Sequence, residues 1–194
     1  MPCGSSVEDE LHGKLLAQKF ALEYKIIDLT KIYEDTAHLL HAIVTPSSKI
    51  KRLLEANIKS RLRMITLYYT ARSLDYLVLG TGNKCELSVG YTTKHGDGGV
   101  DLQLLGDLVK SELYTLADYL DIPVEIQNKA PSGGLWPGQT DEAEMGVTYE
   151  ELEKYLKGLA IPVPVYNKIE GMAEGSQHKR AMAPIAVLPE TIRH

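Results

Sequence analysis

The run Tyr76-Leu77-Val78-Leu79, closing on Gly80-Thr81-Gly82, constrains this chain more than any other stretch. Four apolar residues bounded by glycine are the pattern of a strand covered on both faces, the kind found in parallel sheets. A long helical pattern leads into it over residues 47–74. Its apolar positions Ile50, Leu54, Ile58, Leu62, Ile65 and Tyr68 form a stripe predicted to face inward. In open α/β sheets ligands bind beyond the carboxyl ends of strands, so the segment after Leu79 is the first place to look for a site.

The remaining chain alternates in the same manner. Ser6-Val7-Glu8-Asp9 reads as a helix start, with Leu11, Leu15, Leu16 and Phe20 at helical spacing behind it. Tyr24 to Leu29 is a short β-type run, and Thr30 is placed to cap a helix through about His41. Helices are also predicted over Val109 to Leu120 and Tyr149 to Leu156. Gly80 to Leu108 and Asn128 to Gly146 read as long Gly-rich loops, which in compact domains are usually sites or disorder. The last forty residues carry no assignable pattern. Strand and helix alternation of this kind predicts a layered α/β fold with a parallel sheet flanked by helices, in one domain over residues 1–194.

Charge and cysteine usage narrow the function classes. The net charge is −5 and no dense Lys/Arg block occurs, which argues against a nucleic-acid-binding face. Local basic clusters at Lys49 to Arg63 and at His178-Lys179-Arg180 suit a small anionic ligand instead. Cys3 and Cys85 make neither a metal-ligand spacing nor a disulfide framework, and no apolar run approaches the ~20 residues that span a bilayer. With no secretory signal at the start, the expected address is the cytoplasm.

Five segments are candidates for chemistry. In Gly80-Thr81-Gly82-Asn83-Lys84-Cys85-Glu86, two glycines and a hydroxyl let backbone approach a ligand, and Glu86 is a hard oxygen ligand of the sort Mg²⁺ takes beside phosphates. Residues 90–101 space Lys94, Asp97 and Asp101 by Gly96, Gly98 and Gly99. Lys110 falls in the first turn of a helix, where its charge adds to the positive helix end. Ser132-Gly133-Gly134 has the composition of a phosphate loop, but no β-run feeds it and Trp136-Pro137 follows it, so it is not read as one. On the long helix Arg61 and Arg63 cannot share a face, so at least one has a separate partner. Singly, each has a bland counterpart: a solvated turn, a surface lysine, a basic helix face.

In combination they are distinctive. The strings GTGNKCELSVGYTTKHGDGGVD, PSGGLWPGQTDEAEMG and NIKSRLRM, with the late HKR, together resemble the NAD synthetase family of ATP pyrophosphatases, from Met1-Pro2 to Arg180. The resemblance implies a Rossmann-like, adenine nucleotide alpha-hydrolase-like fold. It also implies ATP-dependent, ammonia-dependent amidation of deamido-NAD through an adenylated intermediate, without a protein nucleophile. By similarity Thr81, Lys110 and Ser132 contact ATP, and Glu86 binds Mg²⁺. Arg61, Lys94, Asp101, His178 and Lys179 hold deamido-NAD, and Glu86 and Asp101 are expected to face one shared cleft. The family is homodimeric, and the helix bearing Arg61 is a candidate part of the interface. Cys85 stands where most members have Ser or Ala, and Asp121 where Gly is usual. The family's SGGxDS loop and its first strand have no counterpart in residues 1–194. The chain is therefore expected to be truncated at its amino end relative to the family and inactive as it stands, with a non-catalytic dinucleotide-binding or dimerisation remnant as the alternative.

Overall fold

A computed structural model of the chain describes residues 1–189 and 192. The first helix, α1 (Val7–Lys19), begins where the Ser6 side chain accepts the Asp9 N–H at 3.2 Å. Three carboxylates in its first turn, Glu8, Asp9 and Glu10, favour the positive helix end. Residues 24–29 are not a strand; the Leu29 N–H bonds the Pro2 carbonyl at 2.8 Å, and Ile26 and Ile27 remain exposed. An apolar β-branched pair favours extended backbone, but no neighbouring edge is available to pair with it. Helix α2 (Thr30–Ile43) follows, and its leading Thr30 N–H is satisfied by the Asp28 carboxylate at 2.8 Å rather than by a threonine cap.

Helix α3 (Ser48–Leu74) has the expected span, but its apolar stripe is not its inward face. Its buried positions are Ala56, Lys59, Ser60 and Ala71, while Ile50, Leu54 and Ile65 are exposed, Ile65 at 58%. The inward face is the one that can hydrogen-bond. Ser60 Oγ donates to Asp97 Oδ1 at 2.7 Å, Thr93 and Asn57 meet at 2.9 Å, and Lys59 Nζ donates to the Leu135 carbonyl at 2.8 Å. Those contacts leave Ile50, Leu54 and Ile65 of the stripe outside and Ile58, Leu62 and Tyr68 half-buried at its margin.

The sheet is a single parallel pair among the described residues. Strand β1 (Leu79–Gly80) pairs with β2 (Leu102–Gln103), matching Leu79 with Leu102 and Gly80 with Gln103. Strand β1 is not covered on both faces: Val78 is buried, but Leu77 and Leu79 are 69% and 54% exposed. Burial alternates from Leu77 to Gly80, so one face is covered and the other is open. The segment between them is not a plain loop, since it holds helix α4 (Lys84–Val89). Beyond β2 come α5 (Lys110–Tyr119) and α6 (Val124–Gln127). Helix α7 (Asp141–Met145) lies inside the second expected loop, and α8 (Tyr149–Leu156), α9 (Val163–Gly175) and α10 (Gln177–Arg180) complete the chain.

The core lies between α4, α8 and α9. Cys85, Val89, Val109, Met145, Val147, Tyr149, Leu152 and Ile169 form it, with Leu152 and Ile169 wholly inaccessible. Cores of this kind fix backbone position well, because packed side chains leave little room to shift. The core therefore holds α4 against α8 and α9, and α4 carries Glu86.

Candidate active site

One large cleft of about 1080 Å³ opens beyond the carboxyl end of β1. Thr81, Glu86, Lys110, Ser132 and Lys179 line it, and Asn57, Ser60 and Arg63 of α3 form the opposite wall. Gly80 is buried against the Gln103 side chain, and Thr81 is the first exposed residue after it.

Glu86 is held by both carboxylate oxygens. Asn83, 1% exposed, caps α4 by accepting the Glu86 N–H at 3.0 Å, and the Asn83 N–H returns a bond to Glu86 Oε2 at 2.9 Å. This reciprocal pairing satisfies two donors that a helix start leaves unpaired. Glu86 Oε1 lies 2.8 Å from the Tyr149 phenol oxygen. Burial pushes the Glu86 carboxyl above its ordinary range, against the opposing pull of the Asn83 N–H, the Tyr149 hydroxyl and the nearby Lys110.

Tyr149 sits 2.8 Å from Asp141 Oδ2 as well, and Tyr91 lies between Asp141 Oδ1 at 3.2 Å and Glu144 Oε2 at 2.8 Å. Each phenol has one proton and two carboxylate neighbours, so the cluster has more acceptors than its phenols can fill. Burial first, and then the neighbouring carboxylates, raise both phenols well above their ordinary value. Gln139 closes the set by donating to Glu144 Oε2 at 2.8 Å while accepting the Leu135 N–H at 2.8 Å.

Lys110 is the first residue of α5, and its ammonium stands 4.9 Å from the Tyr149 ring centre. A cation over an aromatic face is attracted by the ring quadrupole, which orients Lys110 without neutralising it. Ser132 sits on a loop pinned at several points. The Asp141 N–H bonds the Pro131 carbonyl at 2.9 Å, Lys129 pairs with Asp9, and Ser132 Oγ accepts the Gly134 N–H at 3.1 Å. Lys179 Nζ donates to the carbonyls of Gly90 and Thr92 at 2.9 and 2.8 Å, and burial there lowers its affinity for a proton.

Four of the expected contact residues lie elsewhere. Asp101 uses both oxygens structurally, accepting the Val78 N–H at 2.8 Å and the Tyr68 hydroxyl at 3.1 Å, so Glu86 and Asp101 do not share the cleft. Arg61 donates to the Lys94 carbonyl at 3.3 Å on the outer side of the turn, and His178 is exposed on α10. Arg63 instead reaches the Met1 carbonyl and Ser5 Oγ at 3.2 and 2.9 Å, so the two arginines do have separate partners. Asp97 makes the turn: it accepts from Ser60 and Thr92 at 2.7 Å each and from the Thr93 N–H at 2.9 Å. Asp141, Glu144, Tyr91 and Tyr149 were not singled out from the sequence. The first two stand in the distinctive GQTDEAEMG string and Tyr91 in GTGNKCELSVGYTTKHGDGGVD, while no local signal marks Tyr149.

The site fits a Mg²⁺ that arrives with nucleotide phosphates. Among the described residues no three His, Cys, Asp or Glu side chains gather to hold a metal by themselves. Mg²⁺ in ATP-using sites typically takes one or two carboxylates, the rest being water and phosphate. Glu86 at the cleft wall meets that requirement.

A carboxylate, a lysine and two hydroxyls around one cleft, beyond the carboxyl end of a parallel strand, define an α/β nucleotide-handling site. The chain belongs to the NAD synthase family, which it matches over residues 1–183. It is 54% identical over 194 residues to the NH(3)-dependent NAD(+) synthetase of Syntrophomonas wolfei, covering 100% of this chain and 78% of that protein. It is 45% identical over 188 residues to the same enzyme of Carboxydothermus hydrogenoformans, covering 97% of this chain and 76% of that one. Among solved structures, the NMN synthetase of Francisella tularensis superposes with a TM-score of 0.84 at 36% identity, covering 96% of this chain and 74% of that chain. The NH3-dependent NAD synthetase of Campylobacter jejuni gives 0.71 at 28%, covering 96% and 76%. These kinships make the chain an α/β ligase-family protein of NAD biosynthesis that uses ATP.

Proposed function

We propose that this site adenylates the nicotinate carboxylate of deamido-NAD with ATP, releasing pyrophosphate, and that ammonia then displaces AMP to give NAD. A carboxylate resists amines until one oxygen becomes a good leaving group, and adenylation supplies it. The observation that carries this reading is the meeting of Thr81, Glu86, Lys110 and Ser132 on one cleft in a chain of this family. Lys110 would neutralise phosphate charge, Thr81 and Ser132 would hydrogen-bond the nucleotide, and Glu86 would hold Mg²⁺. Bound with ATP, Mg²⁺ would neutralise pyrophosphate as it leaves; every other task is positioning and charge balance. Neither cysteine offers a nucleophile, since both thiols are buried and pushed up by that burial.

Lys179 is the residue on the cleft best placed for the dinucleotide. Arg61, Lys94, Asp101 and His178 would contact it only from outside the cleft, consistent with a dinucleotide lying across a subunit interface. Titration calorimetry tests the reading. Mg²⁺·ATP and deamido-NAD should each bind, and Lys110→Ala should weaken ATP about tenfold with little change for deamido-NAD. Absence of ATP binding would sink the proposal. Turnover with ammonia separates catalysis from a binding-only role, and titrating the mononucleotide acid tests the substrate class that the Francisella protein's name suggests.

Exposed apolar side chains on α2 and α3 support a homodimer: Ile50, Leu53, Leu54 and Ile65, with Leu39 and Ile43 of α2, all stand open to solvent, and apolar side chains gathered on one surface mark interaction sites. Ile50→Glu with Leu54→Glu should convert a dimer to a monomer in sedimentation equilibrium, with little loss of helical circular dichroism. An unchanged mass would place the interface elsewhere.

A further inference from the structure

Tyr149 touches two of the groups assigned to nucleotide and metal, yet it contacts neither ligand in the proposed chemistry. Its hydroxyl is 2.8 Å from Glu86 Oε1, and the face of its ring is 4.9 Å from the Lys110 ammonium. The residue is 5% exposed and opens α8, whose Thr148 cap exchanges bonds with Glu151 at 3.1 and 2.8 Å. Its backbone is therefore fixed from one side by the capped helix and from the other by the core. The phenol is fixed in turn by Asp141, also 5% exposed, whose Oδ2 lies 2.8 Å away. Asp141 extends the connection to the loop bearing Ser132, through its own N–H to the Pro131 carbonyl at 2.9 Å.

We propose that Tyr149, held by Asp141, is a positioning residue that sets the Glu86 carboxylate and the Lys110 ammonium at the spacing a metal-bound nucleotide requires. The proposal rests on the ATP-binding reading above. Glu86 would otherwise retain only the bond from Asn83 within its own helix, leaving its side chain free to swing about the outer torsions. Positioning of this order matters because misplacement of about 1 Å can cost about 10²-fold in rate.

Tyr149→Phe keeps the ring, the core packing and the face under Lys110, and removes only the hydroxyl. With Mn²⁺·ATP as the probe, followed by calorimetry and by the Mn²⁺ paramagnetic resonance signal, affinity should fall about tenfold while deamido-NAD affinity stays within about twofold. A general loss of structure would weaken both ligands alike. In a Glu86→Gln background Tyr149→Phe should cost little further, because the hydroxyl acts through that carboxylate. Equal Mn²⁺·ATP binding by Tyr149→Phe and the unaltered chain, or full additivity with Glu86→Gln, overturns the proposal and leaves the ATP site standing. No Mn²⁺·ATP binding by the unaltered chain overturns both. If Tyr149→Phe does not fold, Asp141→Ala carries the same test by releasing the phenol from its far side, with about threefold selective weakening expected and no selectivity counting against it.

Discussion

Glu86→Gln is expected to make the folded protein more stable and its nucleotide chemistry at least about 100-fold weaker. The two effects have one origin. Burial drives the Glu86 carboxyl upward, so ionising it in place works against the fold. The amide keeps the shape and can still accept the Asn83 N–H now made to Oε2 at 2.9 Å. Its NH₂ can donate to the Tyr149 oxygen, releasing the phenol proton to Asp141 at 2.8 Å, so a contact short of protons becomes fully satisfied. Because the folded carboxyl holds its proton more tightly than the unfolded one, the penalty is absent below the ordinary carboxyl value of about 4.3 and grows as pH rises through the higher folded value. The amide's advantage should therefore appear at neutral pH and vanish toward pH 4. Relief of a poorly compensated buried charge is worth on the order of 1 kcal/mol, or about 2–4 °C in a chain of this size. Thermal melts across pH in metal-free buffer check the sign. Loss of one pre-positioned charge partner typically costs about 10²–10³ in rate, which is the functional side of the trade. An amide variant less stable at pH 7 would mean that the cluster stabilises the fold and was not arranged at the fold's expense.

The parts of this site that could be read from sequence are those whose chemistry is local. Thr81, Glu86 and Lys110 stand at a strand end, a helix start and another helix start, and residue type with position suffices to nominate them. The cluster behind Glu86 was hidden because Tyr149 lies 63 residues from Glu86 and eight from Asp141. No spacing rule relates a phenol on α8 to carboxylates on α4 and α7. The expectation that Asp101 shares a cleft with Glu86 fails for the converse reason: its place is set by the Val78 N–H, 23 residues away. Helix α3 shows the limit of periodicity. Its stripe was recognisable, but which face turns inward depended on Asp97, Thr93 and the Leu135 carbonyl, all distant in sequence. Likewise the apolar run before Gly80 gave an extended segment and its parallel pairing, whereas its burial depended on what lies over it. Leu77 and Leu79 remain open.

The second large effect is expected at Gly90, where the site meets the carboxyl-terminal helices. Gly90 ends α4 with φ +61°, a left-handed conformation that costs other residues about 1–2 kcal/mol. A β-carbon there would lie 2.3 Å from Ser176 Cβ, and Ser176 is itself buried between α9 and α10. Overpacking of that kind adds about 1–3 kcal/mol. Gly90→Ala should therefore cost about 2–4 kcal/mol, a large part of a typical stability of ~5–15 kcal/mol, and lower the melting temperature by about 5–15 °C. The same displacement reaches the site. Lys179 Nζ bonds the Gly90 and Thr92 carbonyls, and the Lys179 N–H bonds the Ser176 carbonyl at 2.8 Å, so α10 cannot be pushed away without moving that ammonium. Deamido-NAD affinity should fall several-fold, whereas ATP affinity, which depends on the far end of α4, should change less. Ser176→Gly separates the two causes. It removes the atoms that would collide and leaves the backbone strain, so the double variant should recover about half of the lost stability and most of the dinucleotide affinity. Recovery of neither would show that the left-handed turn, and not its packing against the α9–α10 junction, sets the position of Lys179.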